Sequence, residues 1–142
     1  MKHSLIKLAP ILFCIVAMVA CGSDSTAPKQ GVAGAYVATQ FVTTGSSGQT
    51  DQLLAGSGLF LSLNANGSVT GQLHSAATNS DTDMAGTWTQ VGNTITFAQG
   101  ADTFVRNMTF DVVPDVNRWQ LVGDGGFSGT RVQVTLTQQP AL

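Results

Sequence analysis

The spacing of turn-forming residues is the feature that most limits how this chain can fold. Between residues 32 and 138, short runs of alternating apolar and polar residues are separated by clusters of Gly, Asn, Asp, Ser and Pro. A period of two is typical of a strand with one buried face. Apart from residues 43–58, no connection is long enough for a helix of ordinary length, which disfavours βαβ units and a parallel sheet.

The alternating runs predict an all-β domain. Tight turns join neighbouring runs, and each run has an apolar face that the sheet must cover. An eight-stranded antiparallel sheet covers these faces by closing into an up-and-down barrel, which also removes its exposed edges. The alternative is a two-sheet β-sandwich of the same strands. The eight predicted strands span residues 36–42, 59–63, 68–74, 84–91, 94–97, 104–113, 118–123 and 130–138.

Composition argues against two other classes of protein. Only 10% of the 142 residues are charged, Glu is absent and Thr is abundant. Glu and Lys are common on exposed helix surfaces, whereas β-branched Thr favours strands, so a helical bundle is disfavoured. The net charge of −2 argues against nucleic-acid binding, because phosphate contacts need a basic patch. The length allows one ordinary domain.

The first twenty residues predict a secretory signal peptide. Lys2 and Lys7 form a positively charged region before an apolar stretch, residues 8–20, that only Pro10 interrupts. These thirteen residues are too few to span about 30 Å of hydrocarbon as a helix, but they suit the apolar region of a signal peptide. The next stretch, residues 22–31, is polar and contains Gly and Pro, as flexible linkers do.

The end of the apolar stretch, residues 18–20 (Met-Val-Ala) followed by Cys21, resembles the lipobox of bacterial lipoproteins. The resemblance implies that Cys21 receives a diacylglyceryl group, that cleavage occurs directly before it, and that a fatty acid such as palmitate acylates the new amine. The alternative is an ordinary signal peptide that ends by chance at a cysteine. The predicted parts are a signal peptide (1–20), a lipidated cysteine with its tether (21–31) and a β domain (32–139).

The residue after Cys21 bears on the location of the anchor. In Gram-negative lipoproteins an Asp at that position favours inner-membrane retention, and here the residue is Gly22. The resemblance therefore implies an outer-membrane anchor, with the domain in the periplasm or at the cell surface. Beyond residue 20, four basic residues stand against eight Asp, a net charge of −4. We expect such a domain to stand off an anionic membrane on its tether.

Parts of the β domain are similar to lipocalin-like domains of small bacterial lipoproteins. Residues 34–36 read Gly-Ala-Tyr, residues 61–67 place two Leu before a Gly, and residues 86–97 read Gly-Thr-Trp, then Gly-Asn, then alternating Ile and Phe. In lipocalins, a Trp of the first strand packs against an Arg of the last strand. The resemblance puts Tyr36 and Arg131 in those places, and it implies a barrel that binds a small apolar ligand.

No group of residues predicts catalysis, metal binding or a cofactor. His74 is the one histidine beyond residue 20, and no second ligand stands at metal-site spacing from it. We interpret it as a surface residue at a strand end, and Asp81 and Asp83 as part of a solvated loop over residues 75–83. A Gly-x-Ser-x-Gly nucleophile motif is missing from the sequence. We expect a protein that is not an enzyme and has no nucleic-acid partner.

Aromatic residues on the apolar faces predict either a ligand cavity or a packed core. Ligand cavities are mostly apolar, and an eight-stranded barrel is just wide enough to be filled by side chains or to hold one small ligand. Arg106 falls on the apolar face of the predicted strand 104–113, where a lone charge must reach the rim, meet an acid inside or bind an anionic ligand group. The predicted ligand-lining residues are Tyr36, Trp88, Phe97, Phe104, Arg106, Met108, Phe110 and Trp119.

Two functions follow, and the interior of the barrel distinguishes them. One is a membrane-anchored lipoprotein whose barrel binds a small apolar ligand. The other is a solid-core structural or interaction module of the cell envelope whose loops, notably 43–58 and 75–83, contact a partner. A cavity of at least about 300 Å³ lined by the aromatic residues favours the first function, and a packed interior favours the second.

Overall fold

The computed structural model describes residues 31–140, and nearly all of this range is β-strand or turn. Residues 1–30, which include the predicted signal peptide, Cys21 and most of the predicted tether, lie outside the described residues. The elements are β1 (Gly34–Gly45), β2 (Gly48–Asp51), β3 (Gly58–Leu63), β4 (Ser68–Ser75), β5 (Ser80–Asp83), β6 (Gly86–Val91), β7 (Thr94–Gln99), α1 (Phe104–Asn107), β8 (Thr109–Asp115), β9 (Arg118–Phe127) and β10 (Thr130–Gln138).

Eight of these strands form a closed antiparallel barrel. Their order is β1, β3, β4, β6, β7, β8, β9 and β10, and β10 pairs again with β1. The closing pair runs from Tyr36 opposite Gln138 to Thr44 opposite Arg131, with a register shift between Ala38 and Gln40. This topology confirms the predicted eight-stranded barrel, and the alternative β-sandwich does not form.

Two short strands extend the barrel wall. β2 forms a hairpin with the end of β1, and β5 forms a hairpin with the end of β4. The prediction of a loop throughout residues 75–83 was therefore wrong over β5, which pairs Gln72 with Asp83 and Ser75 with Ser80. All four β5 residues are polar, so the strand has no apolar alternation that the sequence analysis could detect.

The prediction of one long strand over residues 104–113 was also wrong. Its first four residues form the short helix α1, and the strand β8 begins only at Thr109. Phe104 and Val105 are both buried, which adjacent residues of a strand with one exposed face do not achieve. The Asn107 amide also donates hydrogen bonds to the Asp102 carboxylate and the Thr103 carbonyl, at 2.9 and 2.8 Å, which hold the turn.

The alternation predicted for three of the other strands is confirmed. Inward residues of β3 (Leu59, Leu61, Leu63), β7 (Ile95, Phe97) and β10 (Val132, Val134, Leu136) are buried, and they belong to one apolar cluster. No helix within residues 31–140 has the length and hydropathy to cross a membrane.

The narrowest junction of the barrel depends on a glycine. β4 and β6 share only two residue pairs, Ser68 with Thr87 and Val69 with Gly86. A Cβ atom on Gly86 would overlap the Ala98 carbonyl oxygen of β7 and approach the Gln99 Cα to 2.7 Å. Any side chain at this position therefore forces β6 and β7 apart.

We predict that Gly86→Ala lowers the free energy of unfolding by about 1–3 kcal/mol, because overpacking displaces the β7 backbone. Gly58→Ala is the matched control, since a Cβ on Gly58 meets nothing within 4 Å, and we expect a change within about 0.5 kcal/mol. Urea denaturation followed by tryptophan fluorescence measures both changes. Equal stability of the two variants would contradict the steric role of Gly86.

Candidate functional site

The barrel has two distinguishable ends. We call the end at which the described chain begins, at Gly31, the entry end. It also carries the last described residue, Pro140, and the turns 64–67, 92–93 and 116–117. The opposite end, which we call the far end, carries the turns 52–56, 76–79 and 128–129 and the helix α1.

The interior near the entry end is occupied by two large side chains whose polar atoms are bonded to backbone. The buried Tyr36 hydroxyl donates a hydrogen bond to the Val32 carbonyl at 2.6 Å. Burial raises the pKa of this phenol well above its ordinary value, so it remains a neutral donor. The Trp88 indole Nε1 donates to the Asn64 carbonyl at 2.9 Å, and the residue is 2% exposed. Both rings are therefore fixed by their polar atoms as well as by packing.

The helix α1 places apolar side chains across the far end. The centroid of its Phe104 ring lies 5.2 Å from that of Phe41 on β1. Around the barrel wall, β8, β9 and β10 lie between β7, which α1 follows, and β1. Phe104, Val105 and Met108 are all buried. The helix thus bridges the barrel mouth, and its aromatic contact joins one side of the barrel to the other.

Two glycines of β9 make room for neighbouring side chains. A Cβ on Gly123 would lie 2.8 Å from Phe110 Cε1 and 3.0 Å from Met108 Cε. A Cβ on Gly125 would lie 3.0 Å from Met108 Cγ. Phe110 in turn contacts Phe97 edge to face, with centroids 5.4 Å apart. In this part of the barrel, side chains from β8 and the α1–β8 connection lie over the bare backbone of β9.

The structure brings most of the predicted ligand-lining residues together inside the barrel. Tyr36, Trp88, Phe97, Phe104, Met108 and Phe110 are buried in the common apolar cluster, and Trp119 is partly buried against it. They contact one another and the surrounding aliphatic residues. Val32 and Phe41, which are not among the predicted ligand-lining residues, also belong to the cluster.

Arg106 lies outside this group. It is on the outer surface of α1, and its guanidinium Nη2 pairs with the Asp102 carboxylate at 2.5 Å. Hydrogen bonding from Asn107, together with the nearby Arg106 charge, lowers the pKa of Asp102. Arg106 thus pairs with an acid on the exposed surface rather than inside the barrel, because residues 104–107 are helical rather than extended.

The lipocalin-like contact between Tyr36 and Arg131 does not form in the described chain. In the register of β1 with β10, Tyr36 is opposite Gln138 and Arg131 is opposite Thr44, towards the other end of the barrel. Arg131 instead makes two hydrogen bonds with the Asp124 carboxylate, at 2.8 and 2.5 Å. These bonds lower the pKa of Asp124.

Two open clefts lie on the outside of the barrel. One, of about 900 Å³, is at the entry end between the β8–β9 turn and the segments next to Gly34 and Gln138. We call it the entry cleft; it is lined by Ala33, Gly34, Ala35, Val116, Asn117, Arg118, Gln138, Gln139 and Pro140. The other, of about 480 Å³, is on the outer wall beside Phe60. None of the predicted ligand-lining residues lines either cleft.

The titratable residues of β4 and β5 lie at the surface. His74 Nδ1 is 2.7 Å from the Asp81 carboxylate on the neighbouring β5, and both side chains are well exposed. Asp83 accepts a hydrogen bond from the Ala85 amide. Among residues 31–140, no three His, Cys, Asp or Glu side chains are grouped so that they could hold a metal ion.

Comparisons with known proteins add no relative: no protein-family model, no curated protein and no solved structure matches this chain.

If Trp88 is packed on all sides, as its burial indicates, Trp88→Ala lowers the free energy of unfolding by about 3–5 kcal/mol, and Trp88→Phe lowers it less. Trp119 reports unfolding in both variants during urea denaturation. A Trp88→Ala loss below about 1 kcal/mol would contradict the packed surroundings, because a residue that borders open space leaves little new cavity behind.

Proposed function

We propose that this chain is an exported bacterial lipoprotein, anchored in the outer membrane through lipidated Cys21, whose barrel is a solid-core structural or interaction module of the cell envelope. Its working surface is the outside of the barrel. The proposal assigns it neither catalysis nor a cofactor.

The buried side chains that meet inside the barrel support a solid core over ligand binding. The Phe104–Phe41 contact bridges the far end, Tyr36 and Trp88 occupy the entry end, and Phe110 with Met108 covers the glycines of β9. An apolar ligand of ordinary size requires about 300 Å³ or more of enclosed space. At the entry end the two rings are also hydrogen-bonded to backbone carbonyls, so a ligand there would have to displace fixed side chains.

The anchor is supported by the sequence around Cys21 and by where the barrel begins. Gly31 is exposed, and its carbonyl accepts a hydrogen bond from the Gln138 amide at 2.9 Å, so the chain enters at the barrel surface. A lipidated cysteine ten residues earlier can be held at a membrane without disturbing any strand. Several acyl chains give a stable anchor, whereas a single chain gives marginal binding.

We expect native mass spectrometry of residues 22–142, purified without detergent, to give the bare chain mass and no uptake of an apolar fluorescent probe. Phe110→Ala serves as the positive control, because an apolar cavity made by truncation of a core side chain admits small apolar molecules. A discrete extra mass that is lost on denaturation would overturn the solid-core function in favour of small-ligand binding.

We expect Cys21→Ser to abolish lipidation of the full chain expressed in a Gram-negative host. The wild-type chain should fractionate with membranes and carry the mass of a triacylated N-terminus beginning at Cys21, while the variant should not. Cys14→Ser is the matched control, since that cysteine lies within the segment that is removed. Unmodified wild-type chain would contradict the lipoprotein assignment.

A further inference from the structure

The entry end of the barrel presents exposed aliphatic side chains. Val116, at the tip of the β8–β9 turn, is 81% exposed, and Val91, beside the β6–β7 turn, is 70% exposed. The entry cleft continues this surface with Ala33, Ala35 and Pro140. These residues come from four separate parts of the chain, and the barrel brings them to one end.

The charged residues are concentrated towards the other end. Asp51, Asp81 and Asp102 lie at or near the far-end loops, and Asp124 lies in the half of β9 nearest that end. Asp102 and Asp124 are paired with Arg106 and Arg131, so these six residues carry a formal net charge of −2. Towards the entry end lie exposed Asp111, opposite Thr94, and the Asp115–Arg118 ion pair at 2.8 Å, a formal net charge of −1. The entry end is therefore the less acidic of the two and is repelled less by anionic lipid headgroups.

The length of chain before Gly31 places the entry end next to the anchor. Ten residue steps join Cys21 to Gly31, so the fully extended segment spans at most about 35 Å. Since the chain enters at this end, the tether keeps the entry end within that distance of the anchored cysteine; with the barrel axis upright, the far end is farther from the bilayer by roughly the length of β10, about 25 Å.

We propose that the entry end docks on the phospholipid surface in which Cys21 is anchored, with Val116 and Val91 contacting the headgroup region. The inference rests on the proposed function, because the lipid anchor keeps the domain concentrated at the bilayer, which the contacts of two valines alone do not. It replaces the expectation, drawn from net charge alone, that the domain stands clear of the membrane. The far end and the outer wall then face away from the lipid.

Paramagnetic relaxation in nanodiscs tests the docking. The chain from Cys21 to Leu142 keeps every described strand, and Cys21 is its only cysteine. Coupling of this thiol to a maleimide phospholipid imposes the anchor, so failure of lipidation in cells does not prevent the measurement. Nanodiscs with a gadolinium-chelating lipid relax nearby methyl groups. Ala65 at the entry end and Ala55 at the far end, both exposed, are matched reporters.

We expect the relaxation enhancement at Ala65 to exceed that at Ala55 by at least about tenfold, because the effect falls with the sixth power of distance and the ends are about 25 Å apart. Val116→Asp combined with Val91→Asp should reduce this ratio several-fold. Leu54→Asp, which changes an 88% exposed aliphatic residue at the far end, should leave it unchanged.

Similar enhancement at Ala65 and Ala55, or a ratio that the double variant does not change, would overturn the docking. In that case the barrel rotates freely on its tether while the lipoprotein assignment stands. Conversely, the chain could prove unlipidated in cells and still give a high ratio in nanodiscs. That result would contradict the natural anchor but support the lipid-binding surface.

Discussion

The pairing of β1 with β10 turns a sheet into a barrel, and every other feature of the molecule depends on it. These strands come from opposite ends of the described chain, and their register extends over most of both strands. Without this pairing, both strands would present unpaired amide and carbonyl groups, and the apolar face of the sheet would lie open to water. Closure gives the inward residues of all eight strands one common interior.

β1 also makes contacts that an ordinary barrel strand does not. Its first part pairs with β3, its last part pairs with β2, and β10 lies along its other edge. At the register shift, Thr39 Oγ1 lies 2.7 Å from Thr137 Oγ1, and Thr135 Oγ1 donates to Gln40 Oε1 at 3.0 Å. Such a shift bends a strand, and these side-chain bonds hold the bent region against β10. The bend lets β1 leave β3 and continue into the β2 hairpin.

The strands with one buried face could be predicted from the sequence, because their apolar residues recur with a period of two. The pattern predicted both the strand and its inward face over residues 59–63, 95–97 and 132–136. The closed barrel also followed, since a meander of eight such strands has few other ways to cover its apolar side.

The elements that the sequence analysis missed are those stabilised by contacts outside their own pattern. β5 is entirely polar. It is a strand because it pairs with the end of β4, which extends beyond the barrel. α1 is too short to have a helical period, and its one signal in the sequence is the adjacent apolar pair Phe104–Val105, both of which are buried. The position of Arg106 depended on that helix. The predicted interior residues were found together, apart from Arg106, but their mutual packing depends on glycines at 123 and 125, whose role appears only in three dimensions.

The closing of the barrel by its first and last strands has a consequence for folding. The Gln40–Thr135 contact joins residues 95 positions apart, so the chain has to be nearly complete before the seam can form. A structure dominated by such non-local pairing has a high contact order and folds slowly. A chain that lacks β10 cannot form the seam or enclose the common interior. The same connectivity that removes the edges of the finished barrel therefore delays closure until the C-terminal strand is available.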